Sequence, residues 1–514
     1  MVAWREGLGL FLLAFGVGCG GSLADEDSQG LSREASSAMR AAEAALFCLP
    51  DEASTQRVRT LLPPSEGIPR FAPAPKSFVE FGGLLYFAVN FEDGRRALWK
   101  SDGSEAGTVA VKELPATEDR FTPELRNLTP LNTQLFFQAA DADHGSELWV
   151  SDGTSGGTRL VKDLTPGVEG SNLTHLTGLG SRLVFFREGV DPESSSLRSE
   201  LWTSEGTAEG TVRLRDFGTA EVSFVNARVG NTLLFFVLDP TGTALWKTDG
   251  TAGGTVLLKR LDAGPDSARA FDLRIAGPLA FFSLLEPTGD TEVWRTDGTE
   301  AGTQRLNTYG PTRQTRLLGV LGSFLYLTTT SFSTQYMVLN RIPVAGGPTT
   351  SVVTLPNPYA RQGSALPLVD AVSIAPNGTR LFFSIAISSD GPAPRDTQLW
   401  VTDGTGPGTT LLRRPLSLSD EYSSPVYAVS DNLAFFSAFE EQGAGIEPWV
   451  TDGTPGGTKR LKDIMPSTPS SNSSYPRDFF RVGERVFFSA FDETQAGQLW
   501  STALSTTCVA PVLE

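Results

Sequence analysis

Few residues in this chain are able to do chemistry. Its 514 residues include only two histidines, His144 and His175, and three cysteines, Cys19, Cys48 and Cys508. A Ser-His-Asp triad or a multi-histidine metal centre would have to be built on those two imidazoles. One lies in a variable loop and the other in a strand-like stretch. The loop Asp141-Ala142-Asp143-His144-Gly145-Ser146-Glu147 is the best local candidate for a cation such as calcium, with three carboxylates close together. Calcium takes about six to eight oxygens, however, and no other part of the chain repeats that loop in full. Two acids at a suitable separation would suffice for glycoside hydrolysis. Arg126, Asn127, Asp272, Arg274, Asp370, Arg477 and Asp478 fall where a central channel would be lined, and an inert solvated channel would have the same mixture. No Gly-rich loop is followed by Lys-Ser or Lys-Thr, so a phosphate cradle is missing from the sequence. These residues assign no catalytic group, no cofactor and no metal. The formal net charge of −17 argues against nucleic acid, which needs a basic surface.

The elements that must position these residues are set by a repeat. Seven copies of one phrase begin at Trp99, Trp149, Trp202, Trp246, Trp294, Trp400 and Trp449. In each, an acid follows at the third position after the Trp, Gly at the fourth, Thr at the fifth, Gly at the eighth and Thr at the ninth, with Ser104 replacing one Thr. The acids are Asp102, Asp152, Glu205, Asp249, Asp297, Asp403 and Asp452. The acid–Gly pair lies between two strand patterns and so marks a hairpin. Gly supplies positive φ without steric cost, and the Asp carboxylate ties the loop by accepting backbone N–H groups. Glu205, one methylene longer, should give a looser turn. The Trp side chains, with Trp500 as an eighth, are expected to pack between neighbouring repeats.

Each unit reads as four short strands. A semi-polar stretch is followed by an apolar strand ending in paired aromatics, such as Phe136-Phe137. The Trp strand follows, and then, after the turn, an alternating strand such as Arg159 to Leu164. The connections are too short for crossover helices, so the sheets should be antiparallel. Successive Trp lie 44 to 53 residues apart except for one gap of 106, which holds an eroded copy around Tyr336 to Leu355. The pattern predicts an all-β chain, a β-propeller of about eight to nine four-stranded antiparallel blades. The last unit departs from the phrase after Trp500, with Ala503 in place of the Asp and Cys508 in place of a Gly. Thr55 to Pro63 resembles an unattached fourth strand and is expected to complete that blade.

The N-terminus reads as an export signal. Arg5 precedes an apolar run from Gly7 to Gly18 that is too short to span a bilayer comfortably. Gly16-Val17-Gly18-Cys19 resembles a bacterial lipobox, which makes Cys19 the lipidation site. The expected organisation is a signal peptide over 1–19, a tether and short helix over 20–47, and one propeller domain over 48–514. In an exported chain, Cys48 and Cys508 read as a disulfide across the closing seam; two separate buried thiols are the alternative.

The string Glu147-Leu148-Trp149-Val150-Ser151-Asp152-Gly153-Thr154-Ser155-Gly156-Gly157-Thr158 resembles the ELWxxDGT repeat family over residues 76–502. Those are exported, hyalin-like bacterial repeat proteins, common in myxobacteria. The resemblance implies a secreted or surface-anchored protein and brings no catalytic residues. The expected function is a lipid-anchored envelope scaffold, a monomer that meets the membrane only through its lipid and binds a glycan or a protein. A carbohydrate-active hydrolase or lyase with acids in the funnel is one alternative, and a purely structural envelope or matrix component is another. Specificity is expected in the loops over 188–198 and 386–395.

Overall fold

The structure is a computed structural model. It describes residues 46–508 apart from 65–72, 117–123, 191–195, 265–266, 392, 418–425, 441–444 and 467–472. The signal peptide, Cys19 and most of the tether therefore lie outside the described residues. Leu46 and Phe47, at the end of the expected short helix, are in irregular chain.

All regular structure among the described residues is β-strand, in nine four-stranded sheets. Eight of them are each built from four consecutive strands joined as antiparallel neighbours. These are blade 1 (76–114), blade 2 (126–162), blade 3 (172–216), blade 4 (221–260), blade 5 (269–309), blade 6 (313–355), blade 7 (367–413) and blade 8 (427–460). Blade 9 takes three strands from 477–503 and its fourth from Thr55–Arg59. That strand runs antiparallel to Gly497–Ala503, with Thr55 opposite Thr502 and Arg57 opposite Trp500. A Cys48–Cys508 disulfide locks the same seam, with Cα atoms 5.3 Å apart across 460 residues of sequence. The eroded copy is a complete blade 6.

The paired aromatics explain how the ring holds together. In a strand, adjacent side chains point to opposite faces. Phe137 therefore packs toward blade 1, with Leu98 and Leu125, while Phe136 packs toward blade 3, with Leu173 and Phe185. Both rings are fully buried. A sheet covered on both faces needs apolar residues at successive positions of its second strand, which is what the aromatic pairs provide.

The Trp completes each interface by packing toward the preceding blade. Trp149 lies with Tyr86, Ala88 and Leu98 of blade 1 and stacks on Phe137, centroids 6.4 Å apart. Trp294 joins Leu234 and Phe236 of blade 4, and Trp500 joins Leu433 and Phe435 of blade 8. At five interfaces a cation from the fourth strand of the preceding blade lies over the indole. The pairs are Arg59 on Trp99, Lys162 on Trp202, Arg215 on Trp246, Lys259 on Trp294 and Arg413 on Trp449. Lys162 and Lys259 also donate to the carbonyls of Thr211 and Thr303, the last residues of the next blade's phrase. One side chain thus covers the indole and ties down the turn beyond it.

Blade 6 breaks the pattern. Asn340 faces Leu327 at the register position where Trp294 faces Phe282 in blade 5. Its amide is used within its own blade, donating to Thr329 Oγ1 at 3.0 Å. The interface between blades 5 and 6 consequently rests on a smaller apolar group, Phe281, Val293, Leu317, Leu325, Leu327 and Ile342. Trp149→Ala should open a cavity between blades 1 and 2 and cost about 3–5 kcal/mol, measured by urea unfolding.

Candidate functional site

The repeated turn is tied together by its own side chains. In blade 2, Asp152 Oδ1 accepts the Thr154 N–H at 2.9 Å and the Thr154 hydroxyl at 2.7 Å. Thr154 Oγ1 accepts the Gly157 N–H, and Thr158 Oγ1 donates to the Thr154 carbonyl. Gly153 takes positive φ at the reversal. A Cβ on Gly157 would overlap the Asp152 carboxylate, which explains the second Gly of the phrase. Asp102, Asp249, Asp297, Asp403 and Asp452 repeat these bonds. Glu205 instead reaches out of its turn to Arg182, at 2.7 Å. Each of these acids is engaged in shaping or bracing a hairpin.

The acidic loop 141–147 does not form a cation site. Asp141 Oδ1 caps its own hairpin, accepting the N–H groups of Asp143 and His144, and its carboxylate lies 3.0 Å from His144 Nδ1. That contact raises the His144 pKa. Glu147 is fully buried elsewhere, beside Thr165 and Ser171. Among the described residues, no three His, Cys, Asp or Glu side chains gather closely enough to hold a metal.

The channel is more distinctive. First strands of neighbouring blades lie side by side, as in blades 1 with 2, 2 with 3, 4 with 5, and 5 with 6, so they surround the axis. In blade 2, Arg126 faces Gln138 and Thr129 faces Phe136, leaving Asn127 and Leu128 as a bulge. Blades 9, 1 and 3 bulge at the equivalent place. The bulged residues Asp478, Ser77, Asn127 and His175 have φ of 58°, 59°, 59° and 55°. Left-handed geometry is unfavourable for residues bearing a Cβ. Here it recurs on four consecutive blades and forms one arc. In blade 4 the bulge widens, from Val222 opposite Val237 to Asn226 opposite Phe235. It carries Phe224, which is 68% exposed.

Polar contacts connect the arc. Asn127 Nδ2 donates to the Leu173 carbonyl at 3.3 Å. Asn226 Nδ2 meets His175 Nδ1 at 2.8 Å. With the amide donating there, Nδ1 is the acceptor and the ring proton sits on Nε2. The imidazole lies 5.8 Å from Phe224 and 6.0 Å from Phe186, centroid to centroid. Burial lowers the His175 pKa to about 4. Burial raises Asp478, against the opposing effect of Arg477 and Lys76, and raises Glu80 against Arg481.

The channel acids named from sequence are dispersed. Asp272, 3% exposed, accepts Arg316 at 3.1 Å and the Leu317 N–H at 2.9 Å, and so joins blade 5 to blade 6. Arg274 donates to the Leu318 carbonyl across the same interface. Asp370 belongs to blade 7, and Arg477 and Asp478 to blade 9. Asp272, Asp370 and Asp478 thus occupy alternate blades. The sequence places Asn127 and Asp478 at the channel and assigns His175 no role. It missed Ser77 and Phe224. A weak signal was present, because Asn, Asp and His tolerate left-handed geometry better than most residues.

No family model matches the sequence, and no curated protein matches it. Solved structures do. A prolyl endopeptidase has 12% identity and a TM-score of 0.41, over 73% of this chain and 55% of its own. This chain therefore spans about half the length of that enzyme. An oligogalacturonate lyase in complex with manganese has 11% identity and a TM-score of 0.37, over 63% and 86%. The β-propeller domain of the Trilobed protease from Pyrococcus furiosus, described as an open velcro topology, has 12% identity and a TM-score of 0.35, over 66% and 98%.

His175 should make the fold acid-sensitive. Its folded pKa lies below the ordinary histidine value, so the unfolded chain gains the proton first as pH falls. Stability is complete above about pH 6.5 and declines toward about pH 4, by about 2 kcal/mol after allowing for partial exposure. His175→Gln should flatten that decline in urea unfolding at pH 7 and pH 4.5.

Proposed function

We propose that this protein is an exported, envelope-anchored propeller of the ELWxxDGT repeat type that binds a glycan at its channel. The observation carrying this reading is the left-handed arc Asp478, Ser77, Asn127 and His175, ending beside exposed Phe224. Non-glycine residues in sparsely populated backbone conformations cost energy and tend to cluster at ligand clamps. The arc offers a hydroxyl, an amide, a neutral imidazole and a carboxyl, with an aromatic ring at one end. Sugars use both sets of groups, with hydroxyls taking the hydrogen bonds and C–H faces lying on the ring. A strongly acidic chain favours neutral glycans over polyanions.

The hydrolase alternative needs two convergent acids. It is weakened by the commitment of Asp272 to Arg316 and by the spread of the remaining two across separate blades. On this reading the chain is a monomer, and the membrane meets only the lipid at Cys19.

Glycan-array screening followed by calorimetry should find a bound oligosaccharide that is recovered uncleaved. Phe224→Ala and Asn127→Ala should each weaken it about tenfold or more, roughly the value of one good contact. Product release from the bound sugar would instead support the enzyme reading. Binding unchanged in both variants would remove the channel from the account. Independently, Cys19→Ser should move the protein from the membrane fraction to the soluble fraction.

A further inference from the structure

Among the described residues, three aromatic rings are exposed: Phe224, Phe332 and Tyr336. All three lie toward one end of the ring. The hairpin between second and third strands and the connection to the next blade share that end, and the phrase turns occupy the other. Phe224 lies in the opening half of a first strand, Glu221–Val229, which starts from that end. Phe332 and Tyr336 lie in the blade 6 hairpin that joins Phe324–Ser331 to Met337–Pro343, and are 50% and 40% exposed. The N-terminal chain enters at the opposite end. There Phe47 exchanges hydrogen bonds with Asn432, in the turn between the first and second strands of blade 8, and the Cys48 N–H donates to the Ser505 carbonyl. The described chain is thus rooted away from the three rings.

The blade 6 hairpin is braced from both sides. The Phe332 N–H donates to the Thr312 carbonyl at 3.1 Å, immediately before the channel-lining strand Arg313–Leu321, so the hairpin begins beside the channel. On the other side, Gln335 and Arg361 both take positive φ, 59° and 66°. Gln335 Oε1 accepts the Arg361 N–H at 2.6 Å, and Gln335 Nε2 donates to the Gly363 carbonyl at 3.0 Å. The Asn357 amide, on a residue 5% exposed, donates to the Gln335 and Ala365 carbonyls at 2.7 and 2.8 Å. Left-handed geometry at residues bearing a Cβ costs energy, and a buried amide helps to hold it here. The support fixes a hairpin whose two rings face water, where they stabilise nothing in the fold. Blade 6 is also the blade released from the repeat, with Asn340 at the Trp position and Gly346-Gly347 where the phrase would stand.

We propose that Phe332 and Tyr336 form a second sugar platform, so that the ligand is a long neutral polysaccharide that lies in the channel at Phe224 and continues over blade 6. This rests on the glycan reading above. Aromatic faces on a rigid support suit the C–H faces of sugar rings, and exposed Ser333 between them adds a hydroxyl. Two contacts on one polymer make the second contact intramolecular, so affinity rises with chain length while the channel stays the same.

Calorimetry on the full chain with neutral glucan, mannan and N-acetylglucosamine oligosaccharides of increasing length tests this. In the series that binds, long chains should bind wild-type protein about tenfold or more tighter than short ones. Phe332→Ala combined with Tyr336→Ala should abolish that gain and leave short-chain binding unchanged, whereas Phe332→Tyr should keep it. Both side chains are exposed, so these variants should fold. Phe224→Ala should weaken every length. Equal wild-type affinity for short and long chains, or a length gain that survives the double variant, overturns the platform and leaves the channel reading standing. An apolar peptide captured through Phe332, with no length effect in any glycan, overturns it too and assigns the hairpin to a protein. Wild-type protein that binds no member of any series overturns both readings.

Discussion

Each blade is stabilised by the face of the one before it. A four-stranded sheet with apolar residues on both faces has no independent fold, because both faces need cover. The repeat meets that need with a donated Trp, an aromatic pair divided between two interfaces and, at five places, a cation from the outer edge. Stability is then mostly a sum of neighbour contacts, as in other repeat architectures. It differs from an open array in having no terminal repeat. Every blade has two neighbours, and the terminal apolar faces that would otherwise meet water are covered.

This constraint separates the two kinds of residue in the chain. The Asp, Gly, Thr and Trp of the phrase recur because every interface and hairpin recurs. Residues that differ between blades are free of that duty, and the channel arc is drawn from them. Ser77, Asn127, His175 and Asp478 share one backbone position and have four different side chains. The scaffold fixes where a group is presented while the identity of the group varies, which is the usual division between a repeat framework and a recognition surface.

Much of the architecture was legible because it is periodic. Thr55 to Pro63 could be matched to the missing strand, since Thr458 to Pro466 shows what a fourth strand looks like. Blade 6 was recoverable from spacing alone, although Asn340 stands in place of its Trp. The channel was less legible. A bulge depends on pairing between first and second strands, and the left-handed turn at His175 depends on that register rather than on local sequence. The loop from Asp141 to Glu147 carries the opposite lesson. Proximity along the chain places three acids together, whereas the hairpin turns Asp141 onto its own N–H groups and Glu147 bonds instead with Thr165 and Ser171.

The closing strand has a consequence for how the molecule comes into being. Thr55–Arg59 leaves the ribosome ahead of every blade, and its partner Gly497–Ala503 is among the last segments made. Blade-by-blade assembly can proceed behind it, but the first strand of the domain must wait as an unpaired edge for almost the whole of synthesis. During that interval it is an adhesive end, open to pairing with the wrong sheet or with another chain. Arg57 and Arg59 alternate with apolar Val58 on this strand, and that charge discourages such pairing until the correct edge arrives. The ring therefore has a chronology as well as a geometry: its oldest segment is the last to find its place.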